Sequence, residues 1–333
     1  MSTAAVSAMN KSEPYRGSGP DFSLASRESA IDRMFQGATM FFALLVLALL
    51  GGVILSLVVG SLPILRTAGL SFLYTEVWNP VTDEYGALAP IYGTLVTSAI
   101  AMVIGVPLSF GIAVFITELC PARLKRPLGT AIELLAGIPS IIYGIWGLFV
   151  LAPILQQWVQ PFLIATLGNV PGIGHLFAGP PYGIGVFTAG LILAVMVLPF
   201  ISSVMRDVFE TVPPILKESA YGLGATTWEV VSKVVLPYCR VGVVGGVMLG
   251  LGRALGETMA VTFVIGNAHR ISASLLAPGT TISATIANEF TEAVGDLYTS
   301  ALITLGLLLF AITLVVLTIA RLMLARLAMA EGK

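Results

Sequence analysis

The residues with the clearest chemical potential are two charges inside a long apolar stretch. Arg253 and Glu257 stand four residues apart in the segment LGLGRALGETMA, with Thr258 directly after the second charge. A helix would place both charges on one face, close enough to pair. Because a charge within a bilayer costs about 3 kcal/mol or more unless it is paired or hydrated, such residues mark a polar pathway by default. A guanidinium offers planar donors that match phosphate or carboxylate, so the pattern predicts a substrate pathway in which Arg253 meets an anion.

The carboxylate has a natural role beside such an arginine. We expect Glu257 to occupy Arg253 when no anion is present and to limit how tightly the anion is held. Gly250, Gly252 and Gly256 leave this helix face thin, which allows a neighbouring helix or a substrate to approach closely. The alternative is structural: the two charges neutralise each other as a clip between packed helices.

The elements that must position these charges are membrane-spanning helices. Of the 333 residues, 56% are apolar and only 11% are charged, whereas soluble proteins carry roughly 25% charged residues. Several runs exceed the ~20 apolar residues that cross a bilayer. The sequence therefore predicts an all-α polytopic bundle in residues 34–333, preceded by a disordered cytoplasmic tail in residues 1–33. The six predicted spans are residues 39–62, 91–117, 128–155, 184–205, 238–265 and 297–317.

The basic residues predict the orientation of these spans. Six spans place both termini on one side, and assigning that side to the cytoplasm puts fourteen of the seventeen Lys and Arg residues there. Only Arg66 and Arg270 fall in the opposite loops, and Arg253 lies within a span. The external segments 156–183 and 267–296 are apolar but rich in breaks, so we expect partly re-entrant pieces packed against protein.

The sequence lacks the residue patterns that several functional classes require. There is no Gly-x4-Gly-Lys-Ser/Thr phosphate loop and no Ser/His/Asp or Cys/His constellation for nucleophilic catalysis. Cys120 and Cys239 are too few for a disulfide framework, His175 has no companions for a metal site, and no basic cluster suggests nucleic acid. We therefore expect a conduit that is not an enzyme, with no cofactor of its own.

Other polar residues near the cytoplasmic ends are expected to be structural. Glu118 and Glu133 should pair with Arg123, Lys125 or Arg126, which follow the second span closely. Tyr143 and Trp146 in the third span are expected to serve packing.

The polar island at residues 206–237 predicts a docking surface. Its apolar residues recur at three- and four-residue steps and are interrupted by Pro213-Pro214 and again near Gly222 and Gly224. This indicates two short amphipathic helices joined by a turn. Such a hairpin offers a surface that another protein can bind, although it could also simply cap the bundle.

The same island carries a recognisable spacing. Glu218-Ser219-Ala220, then Gly224, then Val234-Val235-Leu236-Pro237 resembles the cytoplasmic EAA loop of ATP-binding-cassette (ABC) importer permeases. Ser219 stands for the first Ala and Val234 for the usual Ile. The resemblance implies that Glu218 through Trp228 form a helix that couples the permease to an ATPase. The residues it implicates are Glu218, Ser219, Ala220, Gly222, Gly224, Ala225, Thr226, Trp228, Leu236 and Pro237.

Two further stretches extend the resemblance over about residues 35–325. LGRALGETMAVTFVIGN and AGIPSIIYGIWGLFVLAP, together with the EAA-like loop, resemble the PstC family of ABC phosphate-importer permeases of the bacterial inner membrane. That family implies a type I permease fold, inorganic phosphate as substrate, and Arg253 and Glu257 as charges of the translocation path. It also implies a PstA-like second permease, a PstB-like ATPase dimer that binds ATP and Mg²⁺, and a PstS-like phosphate-binding protein.

Two alternatives remain open at this point. An ion-gradient-driven secondary transporter could use Arg253 and Glu257 as a symport site, but it predicts inverted repeats, and none is evident. A sulfate or molybdate permease is the nearer alternative, because one arginine cannot distinguish tetrahedral oxyanions.

Overall fold

In this computed structural model the described residues are 22–331, with side chains described for residues 32–322. The chain divides into two units, Met1–Ser56 and Leu57–Lys333. The described part of the first unit is helical throughout. Residues 1–21 of the predicted tail lie outside the described residues, whereas residues 22–33 are helical. The stretch FSLASRESAIDR contains several good helix formers, which explains why the helix begins before the apolar run.

Fourteen α-helices and one short hairpin make up the regular structure of the described residues. The helices are α1 (Phe22–Thr67), α2 (Ser71–Tyr74), α3 (Leu88–Val114), α4 (Ala122–Ala136), α5 (Ser140–Trp146), α6 (Ala152–Ile154), α7 (Gln160–Leu167), α8 (Val186–Glu210), α9 (Pro214–Gly222), α10 (Thr227–Val230), α11 (Leu236–Leu255), α12 (Met259–Thr262), α13 (Ile282–Glu289) and α14 (Asp296–Glu331). Strands β1 (Trp78–Asn79) and β2 (Glu84–Tyr85) pair antiparallel. Wide π-helical turns occupy Phe115–Leu119, Gly147–Leu151, Leu155–Val159 and Val231–Val235, and a 3₁₀ turn occupies Gly174–Phe177.

Six helices in the described residues are long and apolar enough to cross a membrane, as predicted. Their bounds are Asp32–Thr67, Leu88–Leu119, Ser140–Leu167, Val186–Glu210, Thr227–Leu255 and Asp296–Leu322. They are numbered below as the first to the sixth span. The predicted all-α, six-span architecture is thus confirmed, and the bounds of the third and fifth spans differ most from the prediction.

The third span starts later than predicted. Residues 122–136 form the separate helix α4, and the span begins only at Ser140. The break falls at Gly137–Pro139 because proline disfavours helical backbone in the residue before it. The span then continues to Leu167, so the first part of the external segment 156–183 is helical rather than irregular. The rest of that segment meets the other external segment where the Leu275 amide donates to the Leu176 carbonyl at 2.9 Å.

The fourth span, α8, forms the buried centre of the second unit. It packs against the second and fifth spans at points where glycine permits close contact. A Cβ atom at Gly190 would lie 2.6 Å from the Ile100 side chain, and one at Gly250 would lie 2.5 Å from the Ile201 side chain. Small residues therefore set the separation of these helices, as is usual in membrane bundles.

An aromatic cluster surrounds Glu289. Its carboxylate accepts hydrogen bonds from Trp78 Nε1 at 2.5 Å and from the Tyr298 hydroxyl at 2.8 Å, and it lies 2.7 Å from His269 Nε2. The Trp78 and His269 rings stack with centroids 5.2 Å apart. One carboxylate thus ties the β-hairpin, the loop before α13, and the start of the sixth span together.

Candidate substrate pathway and coupling surface

The predicted fifth span is interrupted where the charged pair lies. Helix α11 ends at Leu255, and Gly256–Thr258 separate it from the short helix α12. Gly256 favours this break because glycine is a poor helix former. Arg253 therefore lies in the last turn of α11 rather than in the middle of a continuous helix. Irregular backbone at membrane depth is tolerated where it is buried in protein or lines a water-filled cavity.

The expected ion pair between Arg253 and Glu257 does not form in this structure. The helix ends between the two residues, so the one-turn geometry on which the expectation rested is lost. Glu257 Oε1 instead accepts a hydrogen bond from the Ala260 amide at 3.2 Å, in the first turn of α12. Thr258 lies in the same break, and its carbonyl accepts the Thr262 hydroxyl at 2.8 Å.

Arg253 lies exposed on the surface of the isolated chain. Its guanidinium carbon is 5.4 Å from the centroid of the Phe200 ring on α8, a cation–π contact worth about 0.5–1 kcal/mol at an exposed site. Among the side chains of residues 32–322, no carboxylate pairs with it. Because stacking on a ring leaves the in-plane N–H groups free, this arginine can donate to an anion.

The glycines around Arg253 have different surroundings. Gly250 is in close contact with Ile201, whereas Gly252 has only ordinary contact with Leu317 of the sixth span. Gly256 is exposed. The predicted thin helix face is therefore used for helix packing at Gly250 and stays open near the break.

The predicted coupling segment exposes an apolar surface. Helix α9 contains no buried residue, and Ile215, Leu216 and Trp228 are exposed. Leu223, at the turn after α9, is 90% exposed. Gly224 has a φ of +85°, a left-handed conformation that glycine adopts without steric cost. Large apolar side chains are thus exposed on the surface of the chain at this turn.

The second half of this segment differs from the predicted hairpin. Thr226 and Glu229 form a capping box, in which Glu229 Oε2 accepts the Thr226 amide at 3.0 Å. The helix that starts at Thr227 runs on as the fifth span, so α9 is the only separate short helix here. Pro237 lacks an amide for the helix ladder, and the wide turn Val231–Val235 lies just before it.

The residues implicated by the EAA-like spacing fall into three places. Four lie in α9 (Glu218, Ser219, Ala220 and Gly222), three in the turn (Gly224, Ala225 and Thr226), and three along the start of the fifth span (Trp228, Leu236 and Pro237). The alanines at 220 and 225 are partly buried against the core, and the Ala225 amide donates to the Ala220 carbonyl at 3.1 Å. Glu218 is exposed. Ala220 and Ala225 thus pack the turn against the core, whereas Leu223 and Trp228 are exposed.

Glu118 and Glu133 have partners other than those expected. Lys217 Nζ lies 2.6 Å from Glu118 Oε1, and Arg206 Nη2 lies 2.7 Å from Glu133 Oε1. Lys125, an expected partner, donates to the Thr117 carbonyl instead. The expectation rested on closeness in sequence, whereas Arg206 lies near the end of the fourth span and Lys217 lies in α9, 73 and 99 positions after the carboxylates that they pair with. No local pattern marks such pairs.

The comparisons with known proteins concern most of the chain. Residues 105–329 match the family model described as binding-protein-dependent transport system inner membrane component. The chain belongs to this family. It is 65% identical over 301 residues to the phosphate transport system permease protein PstC of Mesorhizobium japonicum, covering 90% of this chain and 92% of the relative. It is 61% identical over 276 residues to the protein of that name in Pasteurella multocida, covering 83% and 86%.

Relatives also extend to an archaeal protein and to solved structures. The probable phosphate transport system permease protein PstC of Methanocaldococcus jannaschii is 41% identical over 252 residues, covering 74% of this chain and 78% of the relative. A bacterial alginate ABC transporter in complex with alginate pentasaccharide-bound periplasmic protein aligns with a TM-score of 0.57 at 18% identity, covering 92% of this permease and 97% of that chain. At such identity the likeness concerns the fold, and it confirms the predicted ABC importer permease architecture.

Proposed function

We propose that this chain is the membrane-spanning permease subunit of an ATP-driven importer of inorganic phosphate. The observation that carries the proposal is Arg253, a cation at a helix break that no described carboxylate neutralises, in a chain whose relatives are named as phosphate transport permeases. The substrate meets the open guanidinium edge and accepts paired hydrogen bonds there.

Glu257 keeps this interaction weak enough for release. Its carboxylate is held by the Ala260 amide and stands four residues after Arg253, so its charge repels a bound anion without occupying the arginine. A transport site must hold its ligand and then release it, and opposing charges close together satisfy both needs. Thr258 supplies a hydroxyl at the same break.

Energy enters through partners that this chain does not contain. A PstB-like ATPase dimer binds ATP and Mg²⁺ and docks on α9 and the Leu223 turn, where exposed apolar side chains offer the contact area. A PstA-like second permease completes the pathway, and a PstS-like binding protein delivers phosphate to the outer mouth. Closure of the ATPase moves the docked segment and exchanges inward-open and outward-open states. This chain therefore conducts without catalysing.

The orientation follows from the distribution of basic residues. We place both termini and α9 in the cytoplasm of a bacterium and the chain in its inner membrane, because fourteen of seventeen Lys and Arg residues then face inward. The aromatic cluster around Glu289 then faces outward.

The test is uptake of radiolabelled phosphate by the complete complex in proteoliposomes, with sulfate and molybdate as competitors. A hundredfold excess of either competitor should leave phosphate uptake within twofold of its uninhibited rate. Strong inhibition by sulfate or molybdate, with little uptake of phosphate, would assign the permease to that oxyanion instead. Uptake that follows an ion gradient and needs no ATP would overturn the proposal.

A further inference from the structure

The coupling helix α9 needs a link to the spans if its movement is to open a pathway. None of its residues is buried, and Ile215 and Leu216 expose their apolar side chains. Apolar packing therefore holds this helix weakly to the rest of the chain. A helix held weakly could move with a docked partner while the spans stay still.

Lys217 provides a link of another kind. Its ammonium lies 2.6 Å from Glu118 Oε1, in the wide turn that ends the second span. The side chains are 19% and 6% exposed, respectively. The same ammonium lies 3.5 Å from the Phe209 carbonyl near the end of the fourth span. One side chain thus joins α9 to the cytoplasmic ends of two spans.

These two span ends are also joined to each other. The rings of Phe110 in the second span and Phe209 in the fourth pack edge to face, with centroids 5.9 Å apart. A displacement of Lys217 would therefore move both ends together. Because Glu118 is almost fully buried, separating the pair would leave a desolvated charge without a partner, so the contact resists breaking during movement.

A second ion pair in the same region does not link separate elements. Lys233 and Glu229 are 3.2 Å apart, but they lie one turn apart on a single helix and their side chains are 73% and 41% exposed. Such a pair connects no separate elements and contributes little. It serves as a matched control.

We propose that Lys217 and Glu118 form the positioning pair that carries movement of α9 to the cytoplasmic ends of the second and fourth spans. The inference rests on the proposed function, because it assumes that the ATPase docks on α9. The pair touches neither phosphate nor ATP and acts only through the elements that it joins.

The test uses the complete importer and measures phosphate moved per ATP hydrolysed. The double variant Lys217→Met/Glu118→Gln removes both charges, so no unpaired buried charge remains. It should assemble and hydrolyse ATP, yet its transport ratio should fall at least tenfold. The reversed pair Lys217→Glu/Glu118→Lys should recover at least a third of the original ratio. The control Lys233→Met, which breaks the exposed pair and keeps the capping carboxylate of Glu229, should stay within twofold.

Two results would overturn the proposal. A neutral double variant with an unchanged ratio would show that the pair transmits nothing. Loss of assembly, or a fall of hydrolysis and transport in the same proportion, would make the pair a structural anchor only.

A second readout does not depend on the substrate. Spin labels at Ile215→Cys and Phe115→Cys, with Cys120 and Cys239 replaced by Ser, report the distance between α9 and the end of the second span. That distance should not change with ATP in the native pair and should change in the neutral variant. A nucleotide-dependent distance with the native pair would contradict the link. Failure of the native complex to move phosphate would refute the proposed function, while this distance would still test the pair.

Discussion

Two charged side chains in this molecule, Glu289 and Arg253, differ in how many partners they have. Around Glu289, three aromatic or imidazole donors converge on one carboxylate at 2.5–2.8 Å. At the helix break, Arg253 has a ring below it at 5.4 Å and no carboxylate partner among the described side chains. The Glu289 carboxylate has its partners within the chain. In the proposed function, a ligand completes the site at Arg253.

Under the proposed function, the charge of Glu289 holds the fold and the charge of Arg253 serves transport. The partly buried Glu289 carboxylate, with its three donors, joins elements distant in sequence, and its loss leaves those donors unpaired. An arginine stacked on an aromatic ring at a break in a membrane helix stabilises little of the fold. Substitutions at the two sites should therefore affect different quantities, stability at Glu289 and transport at Arg253.

The largest expected effect is on transport at Arg253. Arg253→Gln should lower phosphate uptake by the complete complex at least tenfold, because the amide retains hydrogen-bonding groups but loses the charge. Its thermal unfolding temperature should stay within about 2 °C of the native value, since about 1 kcal/mol of cation–π contact is removed. Normal phosphate uptake by this variant would mean that Arg253, contrary to our proposal, does not serve transport.

The complementary substitution is at Glu289. Glu289→Ala leaves the donors of Trp78, Tyr298 and His269 without their acceptor, which should destabilise the protein by about 3 kcal/mol. Denaturant unfolding in detergent measures this loss. Uptake corrected for the amount of folded complex should remain within threefold. A stable variant with abolished uptake would mean that Glu289, too, serves transport.

Acid should reproduce part of this loss. Burial raises the pKa of the Glu289 carboxyl, but the hydrogen bond from His269, with those from Tyr298 and Trp78 and the charge of His269, outweighs it, and the pKa is lowered from its ordinary 4.5. A carboxyl with a lowered folded pKa contributes stability that is present above 4.5 and is lost as pH falls through the folded value.

The measurement is thermal unfolding between pH 6 and pH 3. The native protein should lose more stability below pH 4.5 than Glu289→Gln, which cannot ionise. Because a protonated carboxyl still accepts hydrogen bonds, the loss should be smaller than in Glu289→Ala. Parallel curves for the native protein and Glu289→Gln would contradict the expectation.

The smallest effect on uptake and stability is expected at Arg206, an arginine that has carboxylate partners. Arg206 pairs with Glu133 and Asp207 at 2.7 and 2.8 Å, but both carboxylates are exposed, so Arg206→Gln should cost about 1 kcal/mol of stability. Uptake should remain within twofold. This variant is the matched control for Arg253→Gln, and equal losses of uptake in both would remove the special status of Arg253.

The six spans could be predicted because their signals are local. A run of apolar residues long enough to cross a bilayer needs no partner to be recognised. The spacing from Glu218 to Pro237 likewise lies within one segment. The turn at Gly224 follows from the tolerance of glycine for positive φ.

Contacts over long sequence distances could not be predicted in this way. Lys217 and Glu118 are 99 positions apart, and Trp78 and Glu289 are 211 apart, so nothing near either residue names its partner. The break after Leu255 was missed for a different reason. A run of apolar and small residues resembles one continuous helix, although the Glu257 carboxylate accepts the Ala260 amide and starts a new one.

The most direct test of Arg253 restores its charge chemically. In Arg253→Cys, with Cys120 and Cys239 replaced by Ser, uptake should be lost and should return in part after labelling with a cationic methanethiosulfonate reagent. A neutral or anionic reagent of similar size should restore nothing, and phosphate should slow the labelling. Equal recovery with all three reagents, or labelling that phosphate leaves unchanged, would contradict an anion bound at this arginine.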